Sequence, residues 1–401
     1  MAERVRRPRI PASVIAFLLV LTVLVTYVAA GSVIPLVPHA VLDRGGGLGL
    51  VSVVASIFFF SAVAGRLIGG MLADRLGRGP VLIAGIGLIA ASGGAYLLAD
   101  GPALLGLARG VHGFGVALLF TAVAAAVVDL VPGTGRLFGL LGAGAWSGYA
   151  IGAVLAPWVN NLGAAGLLVV GGAAGALVVV VLSYRRVAAG DPALRIPPAA
   201  PDSRLSWRAF VIGTAVLPAV LFGMGNVGYG VLQAYLPILA ATGDGARGLA
   251  VFGLVVLASR LLLGGTAERW GVRRSLWTGV LLTAGSMASL PLVVHIPAAF
   301  YGALAIAAFA YSLAWPVLAS WTVARSSPQV TASALATLTA GNDLFISGSL
   351  AVVGAVVGAA GTPDVAFYLP ALLGALVLVL VEATRRRGPL TVGKTPADPS
   401  R

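Results

Sequence analysis

Long apolar segments, separated by short polar breaks, run through almost the whole of this chain of 401 residues. Twelve are found, at residues 12–37, 48–70, 80–99, 102–130, 137–159, 163–183, 209–239, 247–266, 275–294, 297–323, 331–358 and 364–382. A helix that crosses a bilayer needs about 20 apolar residues, which matches these lengths. None of the segments alternates apolar and polar residues over about ten positions, as strands of a membrane barrel do. The pattern therefore predicts an all-α membrane protein with twelve transmembrane helices.

Composition supports lipid as the main solvent. Hydrophobic residues make up 59% of the chain and charged residues only 10%, against about a quarter charged in soluble domains. The absence of cysteine excludes disulfides, thiolate metal sites and cysteine nucleophiles. Three scattered histidines offer no convergent catalytic set. We therefore expect no bound metal or cofactor. An intramembrane enzyme is a rival class, but it would need a convergent catalytic set, so we expect a protein that is not an enzyme.

The basic residues predict an orientation. With the N-terminus inside, 21 of the 26 lysines and arginines fall in cytoplasmic segments, and only Arg44 and Arg247 fall in outer loops. Such a bias is the positive-inside signal, so both termini are expected in the cytoplasm of a cell whose plasma or inner membrane holds the protein. The net charge of +13 is thereby explained without a nucleic-acid partner. A cleaved signal peptide is the alternative for the N-terminal segment, but its removal would leave eleven spans and reverse the charge bias.

A Pro-, Ala- and Arg-rich stretch between the sixth and seventh segments contains nothing that could form a core, and it predicts a cytoplasmic linker. The predicted organisation is an N-terminal tail (1–11), a six-helix bundle (12–183), the linker (184–208), a second six-helix bundle (209–382) and a C-terminal tail (383–401).

The two halves contain a repeated sequence. GRLIGGMLADRLGRGPVL begins at Gly65, RLLLGGTAERWGVRRSL begins at Arg260, and the two align at a constant offset of 194 residues. Each copy lies at the end of the second segment of its half, in the same orientation, so a parallel duplication is expected. The first copy resembles the signature loop of the major facilitator superfamily. The matching residues are Gly70, Leu72, Ala73, Asp74, Arg75, Gly77, Arg78 and Leu82.

The repeat predicts a gate at the cytoplasmic side. An acid at the end of the second segment can lie against the positive N-terminus of a helix from the other half, and Gly70 would let the two backbones approach closely. The family resemblance implies that Arg78 pairs with an acid at the inner end of the fourth segment, which here is Asp129. The alternative is a turn whose arginines only follow the positive-inside rule. The expected gating residues are Gly70, Asp74, Arg75, Gly77, Arg78, Asp129, Glu268, Arg269 and Gly271.

Asp343 is the candidate proton carrier. It lies twelve residues into the eleventh segment, which is about 18 Å along a helix. A charge in the middle of a membrane helix costs roughly 2.5–3.5 kcal/mol on insertion scales, so such residues usually have a function. The alternative is a structural acid that accepts hydrogen bonds from Ser347 or Thr339. The resemblance implies proton coupling, since acids in the membrane often serve that purpose in the family.

Arg109 and His112, in the fourth segment, are the other candidates for proton coupling. The sequence there resembles a family motif implicated in proton transfer, with His112 in place of a glutamine. Histidine can change its charge near neutral pH, which favours such a role. The alternative for Arg109 is a side chain that extends to the outer membrane interface.

Glycines and amphipathic side chains suggest where a substrate could bind. Gly144, Gly148 and Gly152 recur every four residues in the fifth segment, which favours close helix packing and resembles, in part, an antiporter motif of the family. Four glycines in the seventh segment predict a bend around Asn226. The cavity candidates are Tyr27, Trp146, Tyr149, Asn226, Tyr229, Gln233, Trp315 and Asn342, although packing alone could explain many of them.

These observations predict a monomeric secondary transporter that exports a small amphipathic or hydrophobic compound in exchange for protons. Its partners would be that compound, protons and the lipid bilayer. Proton-coupled uptake remains an alternative, and so does a receptor or scaffold that uses the same fold without transport.

Overall fold

The computed structural model describes residues 12–130, 135–159, 161–187, 211, 213–240, 244–262, 266–326 and 331–385. Within these ranges the regular secondary structure is helical, as the apolar pattern predicts. The helices are α1 (Ala12–Val33), α2 (Val37–Asp43), α3 (Leu48–Leu76), α4 (Arg78–Leu97), α5 (Pro102–Leu130), α6 (Gly135–Val159), α7 (Leu162–Val187), α8 (Gly213–Gly225), α9 (Val227–Leu239), α10 (Asp244–Leu262), α11 (Thr266–Val293), α12 (Pro297–Ala324), α13 (Thr331–Ala360) and α14 (Leu369–Arg385). A 3-10 helix, Pro363–Tyr368, precedes α14.

Each predicted segment corresponds to one helix or to a pair of helices joined by a break. Eleven of these helical units are long and apolar enough to cross a membrane, and α6 completes the twelve. The first segment breaks between α1 and α2 at Pro35, whose ring cannot continue a helix. The seventh breaks between α8 and α9 at Asn226, the position where the glycine-rich sequence predicts a bend. The predicted tails (1–11 and 386–401) and residues 188–210 of the linker lie outside the described ranges.

Both copies of the repeat turn at the same glycine. Gly77, between α3 and α4, has φ +98°, and its counterpart Gly271 has φ +77° and interrupts the helical geometry of α11. A side chain with a Cβ rarely adopts such a backbone conformation, so glycine is needed at both positions. The duplicated sequence therefore specifies a duplicated turn.

The two halves meet along two helix pairs, α3 with α13 and α6 with α10. The repeat offset relates α3 to α10, and the order of the helices relates α6 to α13, so the two contacts are counterparts of one another. Small residues line both of them. A Cβ at Gly49 would lie 2.8 Å from the Gly354 carbonyl oxygen, and one at Gly253 would lie 2.8 Å from the Ala150 Cβ.

The end of the bundle that holds Leu48 and Ala360 is named the outer end, following the orientation that the basic residues predict. There the Tyr235 hydroxyl of α9 donates a hydrogen bond to the Leu48 carbonyl oxygen at 3.0 Å. His39 Nε2 of α2 lies 3.1 Å from the Pro237 carbonyl oxygen, to which it donates. The outer ends of the two halves are therefore in direct contact.

Glycines of α6 pack that helix against α1 inside the N-terminal half. A Cβ at Gly148 would lie 2.8 Å from the Leu24 carbonyl oxygen, and one at Gly144 would lie 3.1 Å from a Val20 methyl group. The four-residue glycine spacing thus has a structural role in packing α6 on α1.

Candidate functional site

Asp343 forms an ion pair that joins the two halves in the middle of the bundle. Its Oδ2 lies 2.6 Å from Nε of Arg66, which α3 contributes. Only 5% of the aspartate side chain and 17% of the arginine side chain are exposed. Burial weakens the screening of the pair, and removal of either partner would leave a charge uncompensated. The sequence analysis assigned no role to Arg66. Its position in the repeat, inside an apolar segment, could have marked it as a candidate partner for a buried acid.

The hydroxyl groups considered as alternative partners of Asp343 bond elsewhere. Ser347 Oγ donates to the Leu344 carbonyl oxygen at 2.9 Å, and Thr339 Oγ1 donates to the Leu335 carbonyl oxygen at 3.1 Å. Both bonds lie within the helix that carries the aspartate. The arginine of the other half is therefore the charged partner of this acid.

A chain of amides connects Asp343 to the break between α8 and α9. Asn342 Nδ2 donates to Asp343 Oδ1 at 3.1 Å, and Asn226 Nδ2 donates to Asn342 Oδ1 at 2.9 Å. Both carboxylate oxygens of the aspartate thus accept a hydrogen bond, which suits its ionised form. The structure therefore brings together two of the predicted cavity residues, the predicted bend and the predicted proton carrier.

Arg109 and His112 form a separate polar cluster within the N-terminal half. Arg109 is only 3% exposed, and its Cζ lies 4.4 Å from the centre of the Phe58 ring. His112 Nδ1 lies 3.2 Å from the Tyr96 hydroxyl. Arg109 Nε and His112 Nε2 have no hydrogen-bond partner among the described residues. The deep burial of Arg109 argues against a side chain that extends to the membrane interface, and the structure does not place this cluster in contact with Asp343.

Aromatic side chains from both halves fill the middle of the interface. The ring of Trp146 lies 5.0 Å from that of Tyr229 and 5.1 Å from that of Tyr311, measured between centroids. Phe252 stacks on Tyr229 at 5.8 Å. Tyr149, 4.7 Å from Tyr27, extends the cluster into the N-terminal half. Most of the predicted cavity residues thus come together, whereas Phe252 and Tyr311 were missed because an aromatic residue in an apolar segment carries no distinctive signal.

A cavity of about 20 Å³ remains inside this aromatic cluster, which is space for about one water molecule. Trp146, Tyr149, Tyr229, Gln233 and Phe252 line it, so both halves contribute to its wall. Gln233 Oε1 has no hydrogen-bond partner among the described residues. The interface is therefore closed around a small space that contains an unsatisfied polar atom.

Trp315 does not belong to this cluster, in contrast to the expectation from sequence. It packs against Phe222, with ring centroids 5.5 Å apart, in an apolar cluster of the C-terminal half. Another groove, of about 660 Å³, lies on the outside of α3, α4 and α5. Exposed apolar side chains such as Leu50, Val53 and Leu107 line it, which suits contact with lipid.

The gating motif is only partly described. The side chains of Asp74, Arg75, Asp129, Glu268 and Arg269 lie outside the described part of the structure, so the gate at the cytoplasmic side stays a prediction.

The role expected of Gly70 also stays a prediction. A Cβ there would meet no atom of the described residues within 4 Å, and residues 327–330, which precede α13 of the other half, lie outside the described ranges. A close approach within the N-terminal half occurs at Gly65, where a Cβ would lie 2.7 Å from the Phe114 carbonyl oxygen. Gly65 lies on the face of α3 that packs on α5, whereas Gly70 lies on another face.

Comparison with known proteins gives a consistent family. The sequence model of the Major Facilitator Superfamily matches residues 19–249 of this chain and, a second time, residues 247–400. An uncharacterized MFS-type transporter of Burkholderia mallei (strain SAVP1) is 27% identical over 365 residues, which is 85% of each chain. The uncharacterized MFS-type transporter YhhS of Escherichia coli O6:H1 is 27% identical over 391 residues, 92% of this chain and 91% of the relative.

Solved structures share the fold at low sequence identity. The human organic anion transporter MFSD10 (TETRAN) has a TM-score of 0.72 at 17% identity, covering 93% of this chain and 100% of the other. The nucleoside transporter NupG has a TM-score of 0.70 at 13% identity, covering 92% and 99%. The peptide transporter POT in complex with sulfate has a TM-score of 0.71 at 17% identity, covering 94% and 96%.

Proposed function

Because this chain belongs to the Major Facilitator Superfamily and its named relatives are MFS-type membrane transporters, we propose that it exports a small amphipathic or hydrophobic compound in exchange for protons. Transport would follow an alternating-access cycle, in which the two halves open in turn to either side of the membrane. Asp343 is the proposed proton carrier.

The observation that carries this proposal is the Arg66–Asp343 ion pair across the two halves. Protonation of the aspartate removes the attraction between α3 and α13 at this point. Removing one partner of a buried pair typically costs about 3–5 kcal/mol, roughly a factor of a hundred to several thousand in an equilibrium constant. A proton bound at Asp343 therefore has enough energetic effect to shift the balance between conformations.

The amide chain gives a route from the proton to the helix break. When Asp343 is neutral, one of its oxygens carries a hydrogen and becomes a donor. A proton on Oδ1 would displace the hydrogen bond from Asn342 and, through Asn342, would disturb the one from Asn226. Because Asn226 lies at the break between α8 and α9, the rearrangement would act on the bend of the seventh span.

Export rather than uptake is supported by the partial likeness of the fifth span to an antiporter motif. Arg109 and His112 are proposed to adjust the proton route from their separate cluster. The proposed setting is a cell's plasma or inner membrane, with the protein acting as a monomer.

A thiol-labelling experiment tests the proton-sensitive contact without knowledge of the substrate. The chain contains no cysteine, so S52C is the single label site. Ser52 is fully buried, and its Cβ lies close to Gly354 on α13. Because N-ethylmaleimide reacts with the thiolate, each labelling rate is divided by that of the denatured variant at the same pH. We expect this normalised rate for S52C to be low at pH 8 and at least tenfold higher at pH 5.5, because a proton on Asp343 favours the conformation in which its pair with Arg66 is broken and α3 and α13 are apart.

The second variant in that experiment is D343N, which removes the charge permanently. S52C/D343N is expected to have a high normalised labelling rate at both pH values, whereas the control S52C/D244N is expected to follow S52C. Asp244 is a suitable control because it lies at the start of α10, where its side chain is 38% exposed and its partner Arg247 is 73% exposed. Equal normalised labelling rates of S52C at the two pH values would remove the proposed proton site.

The direction of exchange is tested in proteoliposomes that enclose the pH dye pyranine. The probes are naphthalene-2-sulfonate, naphthalene-2-sulfonamide and 2-naphthylmethylammonium, which share an apolar body and differ in charge. Antiport predicts that an added substrate alkalinises the lumen, whereas symport predicts that it acidifies the lumen. Either response should vanish in D343N and persist in D244N.

A further inference from the structure

We infer that the transported compound is an organic anion and that Arg260 binds its charged group. The inference rests on the proposed transport function and names its class of substrate. The first observation is the charge carried by the described spans. Arg66, Arg109, Arg260 and Asp343 lie within α3, α5, α10 and α13, with Arg260 in the last turn of α10, and within the described residues only Arg66 forms an ion pair with the aspartate. Two guanidinium groups are thus left without a carboxylate partner from the part of the chain that is described.

Arg260 lies at the contact between the halves and beside the aromatic cluster. Its Cζ is 5.6 Å from the centre of the Trp146 ring, on the opposite half. A Cβ at Gly142 would lie 2.9 Å from Arg260 Nη1, so the guanidinium packs against the backbone of α6. Its Nε is buried and has no hydrogen-bond partner among the described residues. A buried donor without an acceptor is costly, so this group would gain from a ligand that accepts its hydrogen.

The repeat sharpens this assignment. Arg260 is the counterpart of Arg66, and the α6–α10 contact is the counterpart of the α3–α13 contact. At the first contact the arginine meets the carboxylate of Asp343, and at the second the equivalent arginine meets the face of Trp146. The α3–α13 contact therefore provides a carboxylate for its arginine, whereas the α6–α10 contact provides an aromatic ring. We infer that the substrate brings the counter-ion of Arg260.

The surrounding side chains define the rest of the ligand. A guanidinium presents donors in a fixed fork that matches carboxylate, sulfonate or phosphate groups. Trp146 offers a flat apolar face beside it, and Tyr229 and Phe252 pack on Trp146 in turn. Gln233 Oε1, in the cavity that these three rings line, offers an acceptor for one donor group. The best match is a monoanion with a planar apolar body. Since the cavity of about 20 Å³ cannot hold such a compound, the rings must move apart as the halves open.

Arg109 contributes to the same preference from a greater distance. Its guanidinium lies against the ring of Phe58, which contacts Phe59, and Phe59 in turn contacts Tyr229 at the border of the cavity. Its charge has no carboxylate partner among the described residues and therefore adds to the positive potential at the site. A cation would face two repelling groups there, whereas an anion is attracted by both.

Calorimetric titration of the purified full chain in a neutral detergent tests the inference. The probes are naphthalene-2-sulfonate and its neutral isostere naphthalene-2-sulfonamide. The wild type is expected to bind the sulfonate at least tenfold more tightly. R260Q should raise the Kd of the sulfonate tenfold or more and leave that of the sulfonamide unchanged, which also shows that the variant is folded. The sulfonate Kd of R260K should lie between those of the wild type and R260Q, because lysine keeps the charge and loses the forked pair of donors. The control R247Q should bind both probes as the wild type does.

A second variant provides an internal counter-ion. W146E would place a carboxylate opposite Arg260, as Asp343 stands opposite Arg66, and should abolish the preference for the sulfonate. Equal affinities of the wild type for the two probes, no binding of the sulfonate, or an unchanged preference in R260Q would each overturn the inference. If S52C labelling still depends on pH after such a result, the proposed proton site at Asp343 is retained and only the anion-binding role of Arg260 is rejected.

An anionic lipid headgroup has the same chemistry as the free anion, and a competition arm separates the two sources. Phosphatidylglycerol added to the detergent is expected to leave the sulfonate Kd within twofold. A rise of tenfold that disappears in R260Q would assign Arg260 to a lipid and contradict the transported anion.

Discussion

The two contacts between the halves use the same backbone arrangement and opposite chemistry. Arg66 on α3 is neutralised by Asp343 on α13, whereas its counterpart Arg260 on α10 lies over the ring of Trp146 on α6. Small residues bring the helices together in both places. A duplicated framework can thus retain its geometry while its two copies take different roles. We propose that one contact responds to protons and the other to the substrate.

The largest expected effect comes from breaking the charged contact. R66Q leaves the carboxylate of Asp343 buried without its cation, which should lower the free energy of unfolding by about 3–5 kcal/mol at pH 8. The loss should shrink as the pH falls, because a protonated Asp343 no longer needs a counter-ion. Chemical denaturation in detergent at pH 8 and pH 5.5 measures both values.

The double variant R66Q/D343N completes a cycle that isolates the interaction energy between the two side chains. It should be more stable than R66Q at pH 8, since no unpaired charge remains, and the coupling energy of the cycle should exceed about 1 kcal/mol. Additive losses from the two single substitutions would mean that the two side chains do not depend on one another.

A smaller effect is expected from steric changes at the two contacts. G49V would place a Cβ 2.8 Å from the Gly354 carbonyl oxygen, and G253V would place one 2.8 Å from the Ala150 Cβ. Overpacking of this kind costs about 1–3 kcal/mol, and here the halves can relieve it by separating. Labelling of S52C should therefore become faster in G49V at pH 8.

The control for that measurement is G47A. A Cβ at Gly47 would meet nothing within 4 Å among the described residues, so labelling should stay at the rate of S52C alone. If G47A accelerates labelling as much as G49V does, the contact at Gly354 is not what protects Ser52.

The α6–α10 contact has no ion pair among the described residues, so its stability should depend only weakly on Arg260. R260Q removes a cation that has no carboxylate partner among the described residues, so no charge is left uncompensated. We expect a change in the free energy of unfolding within about 1 kcal/mol, and a gain in stability would agree with the cost of burying an unpaired charge. Denaturation under the conditions used for R66Q gives the comparison, and a loss as large as that of R66Q would show an ionic partner for Arg260.

The smallest effect is expected for an ion pair outside both contacts. Asp244 and Arg247 lie 3.2 Å apart, with side chains that are 38% and 73% exposed, and Asp244 also accepts a hydrogen bond from the Tyr301 hydroxyl, which an asparagine could accept as well. Surface pairs of this kind contribute about 0–1 kcal/mol, so D244N should unfold within that range of the wild type and should lose the little it contributes at high salt. A larger change would disqualify it as the control for D343N.

Most of the fold could be predicted because its signals are local. The break at Asn226 follows from neighbouring glycines, and the turns at Gly77 and Gly271 follow from a repeated motif. The candidate site was predicted in part. Asp343, Asn226 and Asn342 are bonded to one another, but Arg66, Arg260 and Tyr311 were not assigned to it, because nothing near them along the chain indicates which residues they meet.

The sequence by itself determined the twelve helices, their division into two related halves and the family. The reason is that hydrocarbon requires each span to satisfy its own backbone hydrogen bonds within a continuous apolar helix. Only the tertiary structure decided which charges are paired. Arg66 and Asp343 are 277 residues apart in the chain, and their contact depends on how α3 packs against α13. The same packing sets Arg260 against a ring instead of an acid, because the residue opposite an arginine is chosen by the partner helix and not by the arginine's own segment.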